Sequence, residues 1–495
     1  MSYYNELVKH QKEISLLDSV NSVLFWDKTT VMPPAATEYR GEQMALLANL
    51  SHQRQTSSTY SDLLNKADEE LAGLSETDVR RINVQKLKRD NERASRLPEE
   101  FVTEFSKAQV AGGAAWEKAK RAKDFSLFAE PLEKLVNLAR KKAGYFDSSA
   151  SVYDTLIQDF EWGTHKEDLD RIFPPLKKEL IALVQRLSEA KVPQAPVLSG
   201  MDYDEAKQRV LTEKLFDELG FSKDNGAAAI SSHPFSCTLG ADDFRITTRF
   251  LNNELMSGFM ATAHEIGHSL YERGLPSEHR GTPVGSAVSS GIHESQSLFW
   301  ENRVGRSQAF LSRWFPTFKE QFPEAFAGGS ESDFYHAVNK VTPSLIRVEA
   351  DEVTYCLHII IRYEIEKALL DENMEVGQLP EVWNQKYREY LGITPPDDGV
   401  GCLQDIHWAE GLFGYFPSYA LGHLISAQFS ENMEKDLGSV EALITGGEFR
   451  TVLGWLRRHI HNKGGVLDAP ELIEEITGKP LSEEAFISYL RAKYP

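Results

Sequence analysis

The pentapeptide HEIGH at 264–268 constrains this chain more than any other feature, because its two histidines work together only if the backbone through them is an α-helix. On a helix His264 and His268 lie one turn apart on the same side, so both imidazoles reach a common point. Glu265, the next position round, reaches a water held beside that point. The flanking residues agree with a helix. Across 253–271 there is no proline, and Leu255, Phe259, Thr262, Ile266 and Leu270 recur at the spacing of one buried face. Arg273 and Gly274 then supply a basic last turn and a stop. The blander alternative is a pair of core histidines with Glu265 as an ordinary solvated side chain.

Two imidazoles do not complete a hydrolytic metal site, which takes a third protein ligand and keeps one position open. A third histidine in the HExxHxxGxxH frame would need glycine at 271 and histidine at 274, where this chain has Tyr271 and Gly274. That frame is excluded. A carboxylate is the better candidate. Glu294, in GIHESQ on a predicted helix from near Ser290, follows His268 by 26 residues, room for a loop and an antiparallel return. Spacing alone does not separate it from Glu272, Glu278 or Glu301. Two imidazoles and a carboxylate suit Zn2+, with Co2+ or Mn2+ as substitutes. Glu265 would then act as general base, taking a proton from a water acidified toward a pKa of ~7 and passing it to the leaving amine.

The rest of the chain sets the class. Its 495 residues can bury a large core, and 41% hydrophobic with 26% charged residues is ordinary for a globular protein. A formal charge of −20 disfavours nucleic acid and anionic membranes as partners. The N-terminus lacks the apolar segment of a secretory signal, and the longest apolar stretch, 353–361, is broken by Thr354 and His358 and stopped by Arg362. Cys237, Cys356 and Cys402 form no CxxC pair. A reducing cytoplasm is the expected setting.

The sequence is mainly α in its patterning. Leu7, Ile14, Leu17 and Leu24 make an apolar stripe closed by Pro33-Pro34. Ser75 and Asp78 read as a capping box opening a second helix, whose charged run to Arg96 reads as a solvated face. KVPQAP at 191–196 divides a helical part, 1–190, predicted to form a cleft wall, from a metal-bearing part, 197–495, within one domain spanning 1–495. Residues 236–239 and the alternation Phe244, Ile246, Thr248 against Arg245, Thr247, Arg249 predict a β-hairpin before the metal helix. Its free edge could take an extended peptide as a further strand, or the hairpin could be structural.

Six ordered segments together resemble the carboxypeptidase Taq family of zinc metallocarboxypeptidases. They are His233-Pro234-Phe235, the DxRxT segment from Asp243 to Thr247, HEIGH, HESQ from His293 to Gln296, IRVEAD from Ile346 to Asp351, and GCLQDIHW from Gly401 to Trp408. Trp26-Asp27 and Met32-Pro33-Pro34 fit the family's N-terminal region as well. The resemblance implies a large helical peptidase fold with a deep cleft, a homodimer, and stepwise removal of C-terminal residues from peptides with broad side-chain tolerance and poor action at proline. It assigns Glu294 as third ligand, Arg347 to the substrate's terminal carboxylate, and Arg245 as its helper. On the residues alone, Thr342-Pro343 starts a helix on which Arg347 and Asp351 pair at the surface.

His407 and Tyr415, in the glycine-rich 401–419 segment, are candidate donors to the oxyanion, set against plain aromatic core packing. His233, Gln404 and Asp405 read as substrate-cleft or supporting positions. Two other functions compete: a zinc oligoendopeptidase with a cleft open at both ends, and a helical binding or scaffold protein whose metal is structural. The distance of all three cysteines from His264 argues against the last.

Overall fold

The computed structural model describes residues 2–187 and 195–495, so 191–194 of the KVPQAP break lie outside the described residues. Helices from Tyr3–Thr30 through Lys166–Leu187 are followed by Glu205–Leu219, three short strands, and a second run of helices ending at Glu484–Lys493. The fold is mainly α, as the patterning predicts. Leu7 and Ile14 are buried, and Tyr60, Leu64, Val84 and Leu87 close a small core over them. A separate, much larger core runs from Phe101 to Tyr494 and encloses the metal helix.

Helix Val79–Ser95 begins later than the capping-box reading places it. Asp78 alone caps it, accepting from the Arg80 amide at 2.9 Å, while the Ser75 hydroxyl turns to Thr77. Its charged face is also not simply solvated. Lys86 reaches Asp468 at 2.5 Å, Arg93 reaches Asp159 at 2.5 Å, and the Arg89 guanidinium lies 4.2 Å over Trp162. The charge run is therefore a polar seam fastening the small core to the large one.

The predicted hairpin is present as β2 and β3 within a sheet of order β1-β3-β2, where β1 is Gly226–Ile230, β2 is Ser236–Gly240 and β3 is Asp243–Thr248. β2 and β3 are antiparallel, with Thr238 opposite Phe244. β1 was not foreseen: it pairs parallel to β3, Gly226 opposite Phe244, and its GAAAI sequence has no alternation to mark it. The sheet lies against the metal helix, Leu255–Gly274, where the Thr248 and Thr262 hydroxyls meet at 2.7 Å. All five residues of the expected buried face, Leu255, Phe259, Thr262, Ile266 and Leu270, are buried.

No helix forms at Thr342-Pro343. The Leu345 carbonyl accepts from Gln404 Nε2 at 2.9 Å and from the Tyr387 hydroxyl, and Gln404 Oε1 accepts from the Arg347 amide at 2.9 Å, so side chains occupy backbone groups that a helix would use. Arg347–Glu349 is instead a single 3-10 turn, and Asp351 accepts from the Val353 and Thr354 amides in the turn that leads into the next helix, Tyr355–Leu370.

Glu366 on that helix organises the coil that follows Gly401. It is wholly buried and accepts from Trp408 Nε1 at 2.8 Å, the Gly414 amide at 3.1 Å and the Tyr153 hydroxyl at 3.1 Å. Removing the acceptor orphans three buried donors, so Glu366→Ala is expected to lose about 3 kcal/mol or more, measured by urea unfolding. Burial pushes its carboxyl up from 4.5 to about 7. The native state therefore binds more protons than the unfolded one between those values, and wild type should lose stability relative to Glu366→Gln as pH rises through that window. A stability difference independent of pH between 4 and 8 would contradict this.

Candidate active site

The site is made by the metal helix and the return helix Ser290–Leu298, which Ser289 caps by accepting from the Ile292 amide. They touch at the glycine of HEIGH. A Cβ on Gly267 would stand 2.6 Å from Ser297 Cα, so a side chain there would force the helices apart. The contact brings Glu294 Oε2 to 3.8 Å from His264 Nε2 and 3.6 Å from His268 Nε2. On its far side Glu294 is wedged by helix Pro417–Leu437, where a Cβ on Gly422 would lie 2.6 Å from Glu294 Cγ.

These three side chains fit a metal ion. Their donor atoms all lie within 4.8 Å of one another. The carboxylate–imidazole separations are too long for hydrogen bonds and close to the ~3.4 Å between tetrahedral ligands at bonds of ~2.1 Å. Charge points the same way. Burial lowers the His264 imidazole, but Glu294, Glu301 and Glu265 outweigh it and raise it to about 10, so this spot attracts a positive charge.

A second layer aims the imidazoles. His264 Nδ1 donates to Glu301 Oε2 at 2.9 Å, and Arg306 donates to the other oxygen at 3.2 Å. With Nδ1 carrying the hydrogen, His264 presents the lone pair of Nε2 to the ion. Glu301 sits in a π-helical turn, Phe299–Gly305, and such widened turns commonly serve sites. His268 is aimed by a relay: its Nδ1 lies 2.6 Å from His293 Nδ1, and His293 Nε2 reaches Glu272 Oε1 at 3.0 Å. Glu301 and Glu272 thus support the histidines, while Glu294 faces the shared point.

Glu265 is buried and its Oε2 has no partner among the described residues, although it lines the cleft. Burial, only partly offset by His264, pushes its carboxyl up to about 7. The cleft is a cavity of about 680 Å3. His233, Arg347 and Tyr415 line it together with the metal trio. Arg347 is buried and reaches Asp405 Oδ1 through Nε at 3.1 Å and Nη2 at 2.9 Å, and the Tyr355 hydroxyl through Nη1 at 2.7 Å. Arg362 holds the other oxygen of Asp405 at 2.5 Å. The expected surface pair of Arg347 with Asp351 is not formed.

Two expected residues are not brought to the cleft. Arg245 is paired with Asp243 at 2.7 Å and lies over the Trp26 ring, outside the cavity lining. His407 is behind Tyr419, its Nε2 at 3.2 Å from that hydroxyl, with its ring against Phe416. The cleft is also lined by Tyr419, which shares the 401–419 segment with His407 and Tyr415, and by Arg249, Tyr355 and His423, which sequence reasoning missed. Arg249 was within reach of the sequence as the next basic residue of the hairpin. The lining residues all fall between His233 and His423, so among the described residues 1–190 contributes by backing the cleft, with Phe25 and Trp26 packed on Phe235.

A buried carboxylate left without a partner beside three converging metal donors is the signature of an HExxH metallohydrolase. Comparison with known proteins narrows this. Residues 6–494 match the family model described as carboxypeptidase Taq (M32) metallopeptidase, and the chain belongs to that family of metallocarboxypeptidases. It is 39% identical to thermostable carboxypeptidase 1 of Thermus thermophilus over 99% of this chain and 98% of that protein. It is 38% identical to carboxypeptidase 1 of Bacillus subtilis over 100% and 98%. The crystal structure of the M32 carboxypeptidase from Deinococcus radiodurans superposes with a TM-score of 0.96 at 36% identity, covering 100% of this chain and 99% of that one. The scaffold reading of the sequence falls with this membership.

Because Gly422 is all that leaves room for Glu294, Gly422→Ala is expected to weaken metal binding by tenfold or more while the protein stays folded. Calorimetric titration with zinc measures it, and an unchanged affinity would show that the carboxylate does not depend on this contact.

Proposed function

We propose that the chain removes residues one at a time from the C-terminus of peptides, with Zn2+ held by His264, His268 and Glu294. When bound, the ion supplies the positive charge that acidifies a water and polarises the scissile carbonyl. Glu265 takes the water's proton at Oε2, its unpartnered oxygen, and delivers it to the leaving amine. Tyr415 and Tyr419, both on the cleft wall, donate hydroxyl hydrogens toward the oxyanion. His407 serves as a positioning residue by holding the Tyr419 hydroxyl.

The observation that carries the direction of attack is Arg347. Three of the five N–H hydrogens of a guanidinium are engaged by Asp405 and Tyr355, leaving two for a ligand in the cleft. Pinned on one edge, it suits the free carboxylate of a substrate. His233 and Ser236 support an extended peptide entering along the start of β2, whose far end is covered by the Ser19 contact to Leu239. Broad side-chain tolerance, with poor action at proline, follows from the family resemblance. We further take 1–495 to act as one domain, since the large core crosses the 190–197 boundary. A homodimer is supported by the exposed Leu16, Val20, Leu46 and Leu50 on the first two helices. A cytoplasmic setting is supported by three unpaired cysteines, and no helix among the described residues is long and apolar enough to cross a membrane.

Peptides with a free C-terminus should be shortened to a ladder while their C-terminal amides are nearly inert, and Arg347→Met should raise KM for the former and erase the contrast. Equal rates on both forms with the wild-type enzyme would make it an endopeptidase. Glu265→Gln should retain stoichiometric zinc by elemental mass analysis yet lose at least about 10²-fold in kcat. Activity near wild type in that variant would remove Glu265 from proton transfer.

A further inference from the structure

Glu161 is buried deep between the helical part and the catalytic part, outside the cleft, and no motif of the sequence pointed to it. One of its oxygens, Oε1, accepts from the Gly291 amide, in the first turn of the helix carrying Glu294. The same oxygen accepts from the Ser418 hydroxyl at 2.6 Å, in the first turn of helix Pro417–Leu437, whose Gly422 wedges Glu294 from behind. The neighbouring Phe160 carbonyl takes the Ser290 amide at 3.2 Å. The fit is close. A Cβ on Gly291 would lie 3.0 and 3.1 Å from the two carboxylate oxygens.

The two helices that grip the third ligand are thus tied at their N-termini to one acceptor atom. The tie is a backbone N–H at the first helix and the Ser418 hydroxyl at the second, and each helix start carries positive dipole charge that favours an acceptor there. Ordinary core packing would not need an acid here, and the side chain of Ser289, the cap of the return helix, also acts on the Glu161 carboxyl. We infer that Glu161 is a positioning residue for the metal site, joining the Ser290–Leu298 and Pro417–Leu437 helices so that Glu294 is held at ligand distance from His264 and His268. The inference rests on the ligand set proposed above. Outer contacts of this kind are typically worth 10- to 100-fold in metal affinity.

The test is zinc titration of the full-length protein, by calorimetry and by the zinc-induced rise in melting temperature. Glu161→Ala should lose about tenfold or more in zinc affinity, and Glu161→Gln, which keeps an acceptor oxygen, should stay within about threefold of wild type. Ser418→Ala removes one arm only and should fall between them. Wild-type affinity in a folded Glu161→Ala protein, or a Gln variant as weak as the Ala variant, would overturn the inference. If Glu161→Ala does not fold, Ser418→Ala decides: threefold weakening or more supports the role, and wild-type affinity overturns it. Glu294→Ala, measured alongside, separates the two levels. Lost zinc in Glu294→Ala with full affinity in Glu161→Ala leaves the ligand set standing and refutes the brace, whereas retained zinc in Glu294→Ala refutes the ligand set itself.

Discussion

The rest of the structure depends on one close approach of two helices. With no side chain at Gly267 the metal helix and the return helix pack closely, and this lets a carboxylate from one share a point with two imidazoles of the other. Closeness has an electrostatic cost. It crowds Glu265, Glu294 and Glu301 around His264 in a buried pocket, an arrangement that would be repulsive without compensating cations. Arg306 offsets part of that charge through Glu301, and a divalent ion held at the shared point by His264, His268 and Glu294 would offset the rest. Metal affinity is, on this view, the other face of the strain of assembling the acids.

Outside that point, the architecture supplies direction by pinning side chains from distant parts of the chain. Arg347 is held by Asp405, which in turn is held by Arg362, and the coil bearing Asp405 is held by Glu366 through Trp408 and Gly414. Arg347, Arg362, Glu366 and Trp408 are buried, Asp405 is partly buried, and each carboxylate has matching donors, so the guanidinium faces the cleft with little freedom to turn. The same layering recurs at the histidines, aimed by Glu301 and by His293 with Glu272. Preorganisation of this kind leaves little reorganisation to be made when a peptide binds.

How much of this could be read from the residues alone follows from how local each interaction is. The metal helix, its buried face, the return helix from Ser290 and the antiparallel hairpin were legible because their signals are periodicity and spacing within a single element. Spacing left Glu294 level with Glu272 and Glu301. The structure separates them, and the two rejected acids prove to be the supports of the histidines. Arg245 is held away from the cleft lining by Asp243 two residues earlier, whereas Arg249 lies past the strand end and lines the cleft. His407 could not be placed because 401–416 is coil, where no period says which side chain faces inward. β1 and Glu161 act through non-local contacts, for which a single sequence carries no signal.

The claim under all of this is that His264, His268 and Glu294 bind one ion. Anomalous diffraction from crystals of the protein grown with zinc, collected on both sides of the zinc absorption edge, tests it most directly. The account predicts one peak per chain, within about 2.0 to 2.2 Å of His264 Nε2, His268 Nε2 and a Glu294 oxygen, with Glu301 and Glu272 outside bonding distance. A peak bonded to Glu301 or Glu272 in place of Glu294, or no peak between the two helices, would contradict it.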